Sequence, residues 1–371
     1  MTNSLNRIVS ILPKPDWIVA GWSVAIKILL FLLAAKSFSV LWDKNQTLRE
    51  LFYNWNRWDA WHYQRIAEVG YSATGVTKAF YPLYPWTIRA LALLTQHTFA
   101  AALIVSAIAL FAAVILFRRL VQIDYPEEVA LGSVWFLLIF PTAYFLHTAY
   151  SESLFLALAL GSIFAARRDQ WWLAGILGAF CWMTRAPGAV LVPTLAMEVA
   201  QQYWTRRRWN WHWLFIALVP LGFIVYLLIN WQVSGDPFAF LKTRKASFVQ
   251  NFAWPMHGIR EAIGNTHRNP NQGEMVGLEE LYFVAVGLIF TVISWFKLRP
   301  LYSVWMTGNL LLFTSVTFLQ SVPRYTLTMF PIFMILALWA RNRFCYGVFT
   351  VFSIFFLALF SILFTRGWWA F

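Results

Sequence analysis

Apolar residues along this chain fall into long runs separated by short polar connections. Read as helices of about 20 residues, the length that crosses a bilayer, the runs predict spans over 17–42, 98–117, 129–147, 152–166, 171–183, 186–203, 213–231, 281–296, 301–319, 325–340 and 344–364, about eleven in all. The stretch 53–86 breaks the rhythm. It sets Trp55, Trp58, His62, Ile66 and Val69 at helical spacing among acidic and basic residues. That pattern predicts an amphipathic helix lying at the membrane surface, with its aromatic rings at headgroup depth. The proline-punctuated residues 80–86 then suggest a short re-entrant piece.

Composition removes the soluble alternatives. Only 12% of the 371 residues are charged and 60% are hydrophobic, against about 25% charged in soluble domains. An all-α polytopic membrane protein is expected, one domain over 1–371 with polar loops at 43–96 and 232–280. The formal net charge of +13 does not point to nucleic acid, because the bases lie mainly between spans. Arg118/Arg119, Arg167/Arg168, Arg206 to Arg208, Lys297/Arg299 and Arg341/Arg343 occupy alternate connections. Placing these in the cytoplasm puts the N-terminus there too. The 43–96 loop, residues 147–152, the turn 184–187, the 232–280 loop and residues 320–324 then fall outside. The N-terminal stretch lacks a signal-peptide cleavage pattern, and the first run is long enough to remain as a span. Lys27 and Lys36 within it are expected to face protein or to snorkel. Cys181 and Cys345 both sit in apolar runs, which suggests neither a disulfide framework nor a zinc site.

Polar residues that topology leaves unexplained gather on the outer side. Asp59 follows Arg57 and Trp58 and precedes His62 and Tyr63. A carboxylate among large rings near a membrane is suited to act as a base; the plainer alternative is an acid paired with Arg57 or Arg65. Glu68 lies off the Asp59 face and reads as solvated. Glu152 opens a span, where Ser151 is placed to cap the helix and the macrodipole favours an acid; lining a pocket with Asp59 is the other possibility. Arg185 and Arg324 end spans beside prolines, Arg324 being followed by Tyr325. Each either snorkels to headgroups or offers its planar fork to a phosphate. Lys242, Arg244 and Lys245 suit a steering role or a plain charged loop. His62, His97, His147, His212, His257 and His267 show no paired ligand spacing, there is no Asp-x-Asp pair and no glycine-rich phosphate loop, so neither metal nor cofactor is expected.

Several motifs match a known family in order. They are Arg57-Trp58-Asp59-Ala60, Ile66-Ala67-Glu68-x-Gly70-Tyr71 and Ala79-Phe80-Tyr81-Pro82-Leu83-Tyr84-Pro85. Further along come Phe140-Pro141-Thr142-Ala143, Tyr150-Ser151-Glu152-Ser153-Leu154-Phe155, Trp171-Trp172-Leu173-Ala174-Gly175 and Thr184-Arg185-Ala186-Pro187-Gly188. Gly235-Asp236-Pro237-x-Ala239-Phe240 and Pro323-Arg324-Tyr325 with Phe330-Pro331 complete the set. Together they resemble the signature of PIG-V-type mannosyltransferases, integral-membrane GT-C enzymes best known for adding the second mannose in GPI-anchor synthesis. The chain looks most like the bacterial homologues, although Ala186 intervenes where the family often joins arginine directly to proline.

The resemblance implies a GT-C-type helical bundle in a bacterial plasma membrane, or its endoplasmic-reticulum equivalent. It further implies a polyprenyl-phosphate sugar donor, chemistry on the extracytoplasmic face and an acid of the first outer loop as base, a role that Asp59 inherits. Arg57, Trp58, His62, Glu152, Arg185, Arg324 and Tyr325 are the expected substrate-binding residues. The expected reaction moves a sugar, mannose first among the choices, to a lipid-linked or glycan acceptor in one inverting displacement. Membrane lipids are the other expected partner, and the oligomeric state is left open. A multi-span transporter or lipid flippase is the rival, distinguished by needing polar gates on both faces; an inactive scaffold subunit is a third possibility.

Overall fold

A computed structural model of the chain describes residues 13–42, 46–268 and 277–368. The expected loops at 43–96 and 232–280 thus each include a few residues, 43–45 and 269–276, outside the described ones. The first half contains α1 (Lys14–Trp42), α2 (Leu48–Tyr53), α3 (Asp59–Val69), α4 (Leu83–Thr95), α5 (Thr98–Val121), α6 (Glu127–Ile139), α7 (Glu152–Arg167) and α8 (Trp171–Trp182). The second contains α9 (Leu191–Arg206), α10 (Leu221–Ser234), α11 (Ala239–Phe248), α12 (Pro255–Arg268), α13 (Glu279–Lys297), α14 (Pro300–Thr314), α15 (Val322–Leu327), α16 (Pro331–Trp339) and α17 (Arg343–Thr365). Among the described residues the only β pairing is an isolated antiparallel bridge between Phe252 and Val316.

Five described helices are long and apolar enough to cross a membrane: Lys14–Leu41, Thr98–Val121, Trp211–Ser234, Glu279–Lys297 and Arg343–Thr365. The other six expected spans form shorter helices of 9 to 16 residues. Proline explains much of the difference. It lacks an N–H and pushes the residue before it out of the helical region. α6 stops at Ile139, just before Phe140-Pro141, and the chain resumes as a 3-10 turn at Ala143–Leu146. The expected span 186–203 likewise begins as a 3-10 turn, Ala186–Val190, before α9. Residues 325–340 divide into α15 and α16 at Phe330-Pro331. Such breaks are tolerable at membrane depth only where surrounding helices cover the backbone. Phe140, Ala143, Phe145, Met329 and Phe330 are indeed all buried.

The core lies where α5, α6, α7, α8 and α16 pack on one another. Small residues set how closely they approach: a Cβ on Gly222 of α10 would collide with the Ala179 carbonyl of α8. Close packing of this kind, with lipid on the outside, is how helices associate in membranes.

α7 gives the bundle two chemically different ends. It starts at Glu152 and finishes at Arg167, about 24 Å away at 1.5 Å per residue. The Arg167 end is a layer of ion pairs: Arg167 with Asp124 at 2.7 Å, Arg299 with Glu198 at 3.0 Å, and Arg206 with Asp169 at 2.6 Å. At the far end of α5, Arg118 (2.7 Å) and Arg119 (2.5 Å) hold the fully buried Asp16 of α1. Four of the five basic connections that alternate along the sequence thus each place at least one arginine against an acid. Glu152 belongs to the other end.

Candidate active site

Asp59 is the first residue of α3, and an unusual turn delivers it there. Trp58 has φ 49° and ψ −120°, and the Ala60 N–H donates to the Arg57 carbonyl at 3.1 Å. These are the features of a type II′ turn with tryptophan at a position dominated by glycine. A non-glycine residue there costs about 1–3 kcal/mol and persists only where its surroundings over-determine it. They do. The Tyr150 hydroxyl donates to the Arg57 carbonyl at 2.9 Å, and the Arg57 guanidinium donates to the carbonyls of Asn54 at 3.2 Å and Thr365 at 2.7 Å. The turn is therefore tied both to the start of α7 and to the end of α17.

Four charged side chains meet beside it. Arg324 donates through Nη1 to Asp59 Oδ2 at 2.6 Å and through Nε to Glu152 Oε1. Arg185 donates to the same Glu152 oxygen at 2.5 Å and to Ser151 Oγ at 3.0 Å. Relative side-chain exposures are 0% for Glu152, 6% for Arg324, 8% for Arg185 and 24% for Asp59. Two cations and two anions leave the set formally neutral, which is what burial demands of charges. Asp59 is its outermost member.

Aromatic rings close the set from the sides. The Arg324 guanidinium lies over the Tyr150 ring at 4.8 Å and the Phe145 ring at 5.3 Å, while Arg185 lies over Tyr325 at 5.4 Å. Tyr325 in turn stacks on Phe313. Such placements over ring faces favour the cation. Tyr63 of α3 shares a hydrogen bond with Ser151 Oγ at 3.0 Å. Burial pushes its phenol up to about 12, partly opposed by Arg324 and Arg185, so Tyr63 stays protonated.

Arg324 is fixed from behind as well. Its helix, α15, begins after Ser321, which has φ 63°. Both oxygens of the buried Glu280 accept backbone N–H groups there, from Ser321 and Val322 at 2.7 Å each. Arg185 leaves an extended backbone (φ −159°) into the 3-10 turn. There a Cβ on Gly188 would run into the Trp182 backbone, so only glycine fits.

The sequence-derived residues separate on this geometry. Asp59, Glu152, Arg185, Arg324 and Tyr325 come together. Arg57 does not join them, because its side chain is spent on backbone carbonyls. Trp58 is 39% exposed and serves as the turn. His62 packs on Phe80 with ring centroids 5.1 Å apart. The expected apolar face of α3 also differs. Ala60, Tyr63, Gln64, Ile66 and Ala67 are buried, whereas Val69 is exposed, since the helix packs on α4 and α5. Ser151, expected as a helix cap, spends its hydroxyl on Tyr63 and Arg185 instead. Ser151 lies within one of the family motifs and Tyr63 between two of them, while Glu280 carried no sequence signal beyond being an acid at the start of a span. Among the described residues no three His, Cys, Asp or Glu side chains gather as a metal cluster.

The chain is thus a helical membrane bundle with an acid–arginine network at one end. The family of mannosyltransferases described as PIG-V matches residues 27–231, more than half of the chain, and the protein belongs to that family. Comparison with curated proteins returns no match. In fold the chain is similar to ArnT from Cupriavidus metallidurans bound to undecaprenyl phosphate. The identity there is 13% and the TM-score 0.52, over 92% of this chain and 69% of that one. It is more distantly similar to the oligosaccharyltransferase of Archaeoglobus fulgidus in its apo form, at 10% identity and a TM-score of 0.46, covering 94% of this chain and 56% of that one.

Proposed function

We propose that the protein transfers a sugar, mannose in the first instance, from a polyprenyl-phosphate donor to a lipid-linked or glycan hydroxyl. Membership of the PIG-V family supports the sugar chemistry, and the undecaprenyl phosphate bound to ArnT supports the carrier. The observation that carries the reading is the partly exposed Asp59 carboxylate, held at 2.6 Å by an arginine that a buried Glu152 fixes in place.

In the proposed reaction the acceptor oxygen attacks the anomeric carbon from the face opposite the phosphate. The bond from that carbon to the phosphate oxygen breaks, and the carrier leaves as polyprenyl phosphate. The configuration inverts. Asp59 takes the acceptor proton through Oδ1, because Oδ2 is engaged by Arg324. Arg324 keeps the carboxylate aimed, so that ordering is complete before substrate arrives. The alternation of basic connections supports an extracytoplasmic site with the N-terminus in the cytoplasm. Among the described residues, Arg167, Arg206 and Arg299 at the opposite end are taken up in ion pairs, which favours the enzyme over a flippase that needs polar gates on both faces.

The test is glycan and lipid profiling of a deletion strain complemented with the parent gene or with Asp59→Asn. The parent should restore a missing glycosylated product. The variant should be present in the membrane at normal level and fail, its rate falling by about 10²–10⁴, the range for a lost general base. Restoration by Asp59→Asn at the parental rate would exclude the assigned role.

A further inference from the structure

Within this reading, the donor's phosphate still lacks a partner. Arg185 and Arg324 were the residues expected to bind it, but both are committed to Glu152 and Asp59. An incoming phosphate would meet a set with no net charge. On the α11 side of the site the situation is reversed. Arg244 is half-buried, its Nη2 donates to the neutral Gln250 Oε1 at 2.6 Å, and among the described residues it pairs with no carboxylate. Of its neighbours on α11, Lys242 is already held by Asp236 at 2.8 Å, and Lys245 is exposed.

Arg244 lines a cleft of about 110 Å³ with Leu241, Gln250, Asn251, Phe252 and Val316. At ~30 Å³ per water, the cleft has room for a small oxyanion. The polar part of the lining is Arg244, Asn251 and Gln250, whose Oε1 accepts from Arg244 and whose Nε2 donates to the Phe318 carbonyl at 3.3 Å; the rest is apolar, which suits a charged group at the end of a hydrocarbon chain. The walls are fixed. Asn251 and Thr317 exchange hydrogen bonds (Asn251 N to Thr317 Oγ1 at 3.0 Å, Thr317 N to Asn251 O at 2.9 Å), and the Phe252–Val316 bridge follows.

A chain of aromatic contacts runs from the end of α11, beside the cleft, to the acid–arginine set. Phe248 at the end of α11 packs on Phe80 at 6.4 Å, and Phe80 packs in turn on His62 and on Tyr63. Tyr81, stacked on Tyr226 at 4.1 Å, lies close enough to both Arg244 and Tyr325 for each to act electrostatically on its hydroxyl. Tyr325 is the ring beneath Arg185.

We propose that Arg244, aimed by Gln250 and flanked by Asn251, forms the oxyanion site for the phosphate of the polyprenyl-phosphate donor, while Arg185 and Arg324 stay with their carboxylates. A fork-shaped guanidinium suits phosphate oxygens, and a cation without an acid partner keeps its charge for the ligand.

Binding to the purified full chain in phosphatidylcholine nanodiscs tests this without knowledge of the acceptor. The probes are undecaprenyl phosphate, undecaprenol, phosphatidylglycerol and inorganic phosphate. The parent should prefer undecaprenyl phosphate to undecaprenol by about tenfold or more, as one charge-assisted contact provides. Arg244→Gln should remove that preference, Arg244→Lys should keep part of it, and Lys245→Gln should leave it intact. Asn251→Asp, at an exposed position where folding is not at stake, should weaken phosphate binding by placing an anion beside Arg244. Retention of the preference by both Arg244→Gln and Asn251→Asp, or its loss in Arg324→Gln alone, overturns the site and leaves the glycosyltransferase reading standing. Equal response to phosphatidylglycerol or inorganic phosphate overturns the donor assignment in favour of a general phosphate site. A parent that binds undecaprenyl phosphate no better than undecaprenol sinks the donor reading itself.

Discussion

Glu152 accepts both arginines through one oxygen, Oε1, while Oε2 is buried with no hydrogen-bond partner among the described residues. Replacing it with glutamine would leave two buried guanidinium groups facing a neutral amide. Removing one partner of a buried ion pair costs about 3–5 kcal/mol. Glu152→Gln should therefore lower the thermal midpoint of the detergent-solubilised protein markedly, whereas the partly exposed Asp59→Asn should lower it little. Equal midpoints for Glu152→Gln and the parent would mean that the arginines find other anions. Tyr63 makes a milder prediction. Its phenol is raised by burial to about 12 in the folded state, against 10.0 ordinarily. The folded form thus favours the protonated hydroxyl. That preference costs nothing below pH 10 and is lost progressively as pH rises from 10 through 12, by about 3 kcal/mol at most. Tyr63→Phe removes one hydrogen bond, worth about 1 kcal/mol, but should flatten this alkaline limb. Unfolding midpoints of the two proteins measured between pH 9 and 12 check the sign.

At the scale of elements, the short helix α15 carries Arg324 and depends on Glu280 for its first turn. Glu280→Gln keeps the shape but sets an NH₂ group against one of two backbone N–H donors. The helix start should loosen, and Arg324 with it. The rate constant kcat should then fall by about tenfold with KM for the donor nearly unchanged, because Glu280 positions the network without touching substrate. A rise in KM alone would count against that role. The broken helices teach a related lesson about reading sequence. Mean apolarity over 129–147 or 325–340 is that of a span, and hydropathy does not distinguish a continuous helix from two pieces joined at Phe140-Pro141 or Phe330-Pro331. The prolines were visible, but whether neighbours would cover the exposed backbone was a tertiary fact. That Asp59 lies on a short helix was legible because the spacing is local, although the helix begins at Asp59 and not at Trp55. The turn geometry at Trp58, the cap by Glu280 and the neutral pairing of Arg185 and Arg324 were not, because each depends on segments far apart in the chain.

Over the whole molecule, one end carries the acid–arginine set and the other a layer of ion pairs, with α5 and α7 running between them. Asp16, fully buried between Arg118 and Arg119, anchors α1 to α5 at the paired end. Asp16→Asn should lower stability without altering donor affinity, a separation that thermal midpoints and undecaprenyl phosphate binding together would reveal. The opposite outcome, normal stability with weakened binding, would indicate coupling between the ends that the packing gives no reason to expect.

The contact from Arg57 to the Thr365 carbonyl joins residues 308 positions apart. The strained corner that presents Asp59 therefore lacks one of its braces until the end of α17 has been synthesised and inserted. During biosynthesis, a nascent chain would carry Asp59 and Glu152 long before it could hold them in register. The corner at Trp58 would then settle late, only once both termini of the bundle have met.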